Sequence, residues 1–309
     1  MRLASLFAAA AAAAALCGGC DLGKITVNTT AKVLLRAQPS LQMESDYELA
    51  HQAIPGTLKT VEGFWVVNPD NEILTNLLTE AYCQYGTAFV EDDWEVAKFA
   101  KDLEATEYHN TRATKMFTRC LNYALRTLGP RWQKELFGSD DQVRKLIKDT
   151  SGSKRTAMMW AGVALGSMVN HNSSRMEMLG HVATVDAIMH RVIELDAKHA
   201  PANKIHAALP HIALGMLLTS RPKALGGQPD AAKAEFLLAG QITGGKMLLP
   251  SVLMAYRVGL ANNDQKLFHD TLKTVMETDP AIWPEQRLAN EVAHRKARRY
   301  LKHERELFQ

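Results

Sequence analysis

The chain has 309 residues, and its 36 Lys and Arg stand against 33 Asp and Glu for a formal net charge of +3. That excess is too small to mark a nucleic-acid binder. With 47% apolar residues, the chain is long enough for one large domain with a substantial core.

The N-terminus reads as a secretory signal. Arg2 supplies the positive end, residues 3–16 are apolar, and Gly18 and Gly19 precede Cys20. The apolar run is too short to span a bilayer. Gly18-Gly19-Cys20 resembles a bacterial lipobox, although Cys17 stands where a leucine is usual and Leu16 lies one step further back. Residues 1–19 are therefore expected to be removed, and Cys20 to be lipidated and to tie the protein to a membrane. The plainer reading is an ordinary signal with an incidental cysteine. Asp21 follows, a position that in some bacteria selects the inner membrane, but the choice of membrane stays open. No later stretch reaches the ~18 apolar residues that a spanning helix needs.

Residues 20–40 are expected to form a tether ending in a short helix over 30–36, and residues 41–309 the helical domain. Asp46 is placed to cap a helix from Tyr47, which Pro55 kinks or restarts before Leu58, Val61, Glu62 and Trp65. Asn68-Pro69-Asp70-Asn71 is a turn with a cap, and Ile73, Leu74, Leu77, Leu78, Ala81, Tyr82 and Tyr85 then recur at helical spacing. Glu91-Asp92-Asp93 breaks that apolar face. Residues 112–128 form an amphipathic helix stopped by Gly129-Pro130, and an insert over 131–152 carries two short helix signals. Further helices are expected over 155–168, 176–195, 201–217, from Ala232 behind an Asp230 cap, and over 252–260, 265–276 and 284–301. Alternating runs are lacking, so the fold class is all-α, built of antiparallel helix pairs. Cys83 and Cys120 sit in apolar helical patterns and suit either a periplasmic disulfide or two buried thiols.

A spacing recurs along this series. Ala232, Phe236 and Ala239 follow small-x3-Phe-x2-small; Phe268, Leu272, Val275 and Pro280 repeat it, and Ala113, Phe117 and Cys120 fit it too. Phe268 follows Ala232 by 36 residues, close to the ~34-residue period of tetratricopeptide repeats. Small side chains there let helices approach, and such pairs stack into a compact superhelical domain with a concave surface.

The order of motifs resembles the TatT family, the tetratricopeptide-like lipoproteins of tripartite ATP-independent periplasmic (TRAP) transporters. The likeness is carried by Asp46, Glu48, Leu49, Ala50, Ala53, Pro55, Leu58 and Glu62, then by Asn68-Pro69 with Tyr82 and Tyr85. It continues through Trp160 with Leu165-Gly166, Met189 to Asp196, Leu225-Gly226-Gly227 before Phe236, and Arg287-Leu288-Ala289-Asn290. The resemblance implies a periplasmic helical protein that forms a trimer, with a pore or crevice through each subunit. It also implies a partnership with the extracytoplasmic solute-binding protein of a TRAP system, whose ligands are commonly organic acids.

Phe64, Trp65, Tyr82, Tyr85 and Trp160 are candidates to line a ligand path, and methionines such as Met158, Met159 and Met189 suit an adaptable channel. For all of these, plain core is the commoner role. Arg191, Arg287 and Asn290 lie in helices of small or apolar residues, where an arginine needs a partner. That partner is either Glu194 or Asp196, or a substrate carboxylate. His181, His190, His199, His206 and His211 lack metal-ligand spacing, so no metal or cofactor is expected. Leu225-Gly226-Gly227 reads as a tight turn rather than an anion loop. The basic run Arg295, Lys296, Arg298, Arg299 and Lys302 reads as a solvated cap, with a lipid-headgroup contact as the lesser reading. No catalytic constellation stands out, which favours binding over catalysis. A tetratricopeptide scaffold for envelope assembly, gripping a protein or peptide, is the alternative.

Overall fold

The computed structural model describes residues 21–309; the expected signal and Cys20 lie outside them. Every regular element among the described residues is helical. In chain order they are α1 Leu22–Gln42, α2 Tyr47–Val67, α3 Glu72–Tyr85, a π-turn Gly86–Val90, α4 Glu91–Phe99 and α5 Leu103–Leu128. The insert forms α6 Pro130–Glu135 and α7 Asp140–Asp149. Then come α8 Arg155–His171, α9 Met176–Leu179, α10 Val182–Lys198, α11 Lys204–Leu218, α12 Pro229–Ile242, α13 Leu249–Asn262, α14 Gln265–Glu277, α15 Arg287–Lys302 and α16 Glu304–Leu307.

Local chemistry sets most boundaries. The side chains of Asp46, Asn71, Asp102 and Asp264 each accept an orphan backbone N–H of the helix that follows. Gly129 takes a φ of 102° and Pro130 cannot continue the ladder, so α5 stops. Three expectations change. The segment read as a tether is helical from Leu22, because Asp21 caps it and Val27 and Ala31 bury against the body. Pro55 does not restart α2, which runs through it unbroken. Asp230 is not the cap of α12, which begins at Pro229 after Gln228.

From α10 to α15 consecutive helices pack on one another, while in the first half α5 packs on α3 and α8. The expected interhelical positions are buried: Ala113, Phe117, Cys120, Ala232, Phe236, Ala239, Phe268, Leu272 and Val275. Two glycines make the approach possible. A Cβ at Gly86 would meet the Phe117 ring at 2.9 Å, and one at Gly215 would meet the Phe236 ring at 2.7 Å. The chain then closes: α15 returns to pack on α1 and α2.

Cys83 of α3 and Cys120 of α5 are joined in a buried disulfide, which settles the pairing that the sequence left open. The bridge closes a loop of 37 residues, for which chain entropy gives a stabilisation of about 2–4 kcal/mol. Replacing both cysteines with serine should lower the urea-unfolding free energy by that amount. A change below about 0.5 kcal/mol would show that the bridge does not constrain the unfolded chain.

Candidate functional site

The sequence-predicted ligand residues do not converge on one cavity. Phe64 is partly buried against the core. Tyr85 is buried and its hydroxyl accepts from Arg112 at 3.1 Å. Trp160 is buried edge-on to His206. Arg191 pairs with Glu194 at 3.0 Å and donates to the Thr150 carbonyl, while Asp196 is taken instead by Arg155 in a two-pronged pair at 2.6 and 2.7 Å. Arg287 pairs with Glu291 along its own helix. Asn290 is a buried strut: it accepts from Leu248 N and donates to the carbonyls of Lys246 and Pro280. Tyr85, Arg191, Arg287 and Asn290 each have an intramolecular polar partner, whereas the buried indole Nε1 of Trp160 has none.

Tyr82 is different: it is buried behind a cleft, stacked on Tyr123, which lines it. The cleft, of about 280 Å³, lies between the end of α2 and the C-terminal half of α5. Trp65 comes from α2, Arg119, Asn122, Tyr123 and Arg126 from α5, and Gln133 from α6. Arg119, Asn122 and Arg126 share one stripe of α5, since residues three and four apart are neighbours on a helix. The Arg126 guanidinium lies 5.0 Å over the Trp65 ring and that of Arg119 5.5 Å over the Tyr82 ring. Tyr82 stacks on Tyr123 at 5.9 Å, and Trp65 stands edge-on to Tyr123 at 5.2 Å.

Behind this wall the Tyr123 hydroxyl donates to Glu62 at 3.0 Å. Burial works to raise Glu62, but Lys59, Tyr82 and Tyr123 around its carboxyl outweigh this and hold it below the usual carboxylate range. Burial, and after it the Glu62 charge, pushes the Tyr82 and Tyr123 hydroxyls up. The carboxylate is thus satisfied from behind, while the two guanidiniums face the opening. Among the described residues, the ion-pair partner of Arg126 is the exposed Asp70, at 3.6 Å. Cations over π-faces beside a small concavity are recognition chemistry suited to a carboxylate with a flat apolar body. The volume lies just below the ~300–1,000 Å³ range of ligand pockets. A second concavity of about 370 Å³ between α12 and α13 is lined without charge, by Phe236, Leu237, Met254 and glycines among others.

The other concentration of charge is a seam where α4 meets α15. Asp92 is fully buried and accepts from Arg295 at 2.6 Å, Arg299 at 2.5 Å and the Tyr47 hydroxyl at 3.2 Å. Glu95 accepts from Arg299 at 2.6 Å and Tyr300 at 2.9 Å, and pairs with Lys296 at 3.0 Å. The basic run is therefore not all a solvated cap. Arg298 and Lys302 are exposed, but Lys296 and Arg299 are buried on these carboxylates. The π-turn prepares this arrangement. It inserts one extra residue into the helical phase, about 100° of rotation, just before Glu91. Asp92 and Glu95 are thereby aimed at α15.

Among the described residues, no group of three or more His, Cys, Asp or Glu is placed to hold a metal ion. Histidines pair with carboxylates instead, as His171 does with Glu91 and His211 with Glu235.

Comparison with known proteins bears on this arrangement. The chain is 26% identical over 165 residues to an uncharacterized protein of Treponema pallidum (strain Nichols), which covers 48% of this chain and 51% of the relative. The chain thus spans about half the length of that curated relative. The family model described as TRAP transporter T-component matches residues 43–308, nearly the whole helical domain from before α2 to the end of α16. By that match, the chain belongs to the TRAP transporter T-component family.

Proposed function

We propose that the protein is a periplasmic, lipid-anchored accessory of TRAP transport that binds the extracytoplasmic solute-binding protein. The observation that carries this reading is the family match over residues 43–308, which extends from α2 through the closing helix α15. Membership itself implies association with TRAP transport. Three further features support the finer reading. The fold is cross-tied by a buried disulfide and a buried ionic seam, as suits a preformed docking surface. Among the described residues no helix is long and apolar enough to cross a membrane, so the acyl chain on Cys20 would hold the protein there. The Trp65–Arg119–Arg126 cleft offers a small organic acid two cations and an aromatic wall, a sheltered contact during handover. The working assembly is a homo-oligomer, with a trimer as the form to test.

The test is reversible cross-linking of the intact envelope followed by purification of this protein. The solute-binding protein and permease of a TRAP system should be recovered with it. Recovery of envelope-assembly proteins in their place would favour a scaffold.

A further inference from the structure

The outer face of α1 is unlike the rest of the surface. Leu22, Ile25, Thr26, Thr29 and Val33 recur at the three- and four-residue spacing of one helix face. Leu22 is 75%, Ile25 50% and Val33 60% exposed. The threonine hydroxyls are already used, since Thr26 donates to the Leu22 carbonyl and Thr29 to that of Ile25, so this face presents few free polar groups. Lys24, Lys32 and Arg36 are the charges of the helix, which holds no acidic residue between Leu22 and Gln42. At its N-terminal end stand exposed Val66 and Val67, and a Cβ at Gly23 would lie 3.6 Å from Val67.

The helix is not free to turn this face inward. Val27 and Ala31 bury its opposite side. Asn28 accepts from Asn68 at 2.9 Å and Asn71 at 2.7 Å, and Gln42 accepts from Gln286 at 3.3 Å. The face is therefore held outward along a helix that is about 31 Å long at 1.5 Å per residue.

We propose that this face lies on the lipid bilayer as an interfacial helix, with Leu22, Ile25 and Val33 in the headgroup region and Lys32 and Arg36 against anionic headgroups. This rests on the lipidation of Cys20 in the reading above. Asp21 caps α1 directly, so only two residue steps separate Cys20 from Leu22. An extended chain covers at most about 3.6 Å per residue, or ~7 Å here. The headgroup region of one leaflet is itself about 5–7 Å deep. An acyl-bearing Cys20 thus holds the first turn of α1 at the membrane, and the exposed apolar face through Val33 is what would lay the rest of the helix along it. The basic, acid-free composition complements an anionic surface, whereas a second copy of the same face would meet it with like charge.

The test uses the full chain made in a host that lipidates it. With Cys20 acylated and Cys83 bridged to Cys120, an introduced cysteine is the labelling site. Val33→Cys carries an environment-sensitive fluorophore, and Leu237→Cys on α12 is the control. Both chains are reconstituted into phosphatidylethanolamine–phosphatidylglycerol vesicles with brominated acyl chains. The expected result is a blue-shifted Val33 probe, quenched several-fold more than the Leu237 probe. Equal, solvent-like emission at both sites in vesicle-bound protein would overturn the proposal and leave the anchor standing. A Val33 probe shielded without lipid, and unquenched by bromolipid, would assign the face to a second copy. Protein that stays in the supernatant would remove the anchor and the proposal together.

Discussion

Asp92→Ala is expected to destabilise the protein by about 3–5 kcal/mol, the usual cost of leaving buried charges unpaired. The substitution removes the acceptor shared by Arg295, Arg299 and the Tyr47 hydroxyl, and the Arg299 side chain is nearly enclosed. It also unties α4 from α15, which closes the fold against α1 and α2. A pH dependence accompanies this. Burial opposes ionisation of Asp92 and Glu95, but Lys296, Arg299 and, for Asp92, Arg295 outweigh it, and both carboxyls titrate below their ordinary values. For a carboxyl lowered on folding, the stabilisation is complete above the unfolded-state value and is lost as pH falls through the folded one. Stability should therefore hold at neutral pH and decline below about pH 4, the ordinary carboxylate range. The decline should be shallower in Asp92→Ala. Urea unfolding across the acid range measures both effects. A loss under about 1 kcal/mol with an unchanged acid limb would show that the seam does not hold the fold.

Phe236→Ala should cost about 3–5 kcal/mol, because the ring is buried and its removal opens a cavity. Gly215 makes the cost high: the ring rests where a Cβ at that glycine would be, so the backbones of α11 and α12 are already close. The cavity has little room to collapse. A loss below about 1 kcal/mol would mean that Phe236 does not bridge these helices as described.

These two sites differ in how far the sequence reveals them. Phe236 was legible because a helix face is written at spacings of three and four, and its small neighbours Ala232 and Ala239 flank it in the chain. The all-helical class and most helix positions follow from the same local rule. The seam was not legible, since Asp92 and Arg299 are 207 positions apart. Read alone, an acidic triplet and a basic run look solvated. The cleft shows the same split. Trp65 of its lining was a candidate, as was Tyr82 behind it, but Arg119, Asn122, Tyr123 and Arg126 were missed. Their i, i+3, i+4, i+7 spacing on an amphipathic helix was the available signal. Arg191, Arg287 and Asn290 were chosen as polar groups in apolar surroundings, and the fold gives each a partner from within the chain. The helix Leu22–Gln42 was legible only over 30–36, because β-branched Ile, Val and Thr in its first turns have low helix propensity; the Asp21 cap and the docking of Val27 and Ala31 override it.

The proposed function stands on recognition of a TRAP-type solute-binding protein by the mature chain. Isothermal titration of the cognate binding protein, with and without its solute, tests it most directly. A saturable complex with a Kd of ~1 μM, about −8 kcal/mol, is expected, because an import accessory must release its partner in each cycle. No complex in either ligand state, at partner concentrations approaching ~1 mM, would contradict it.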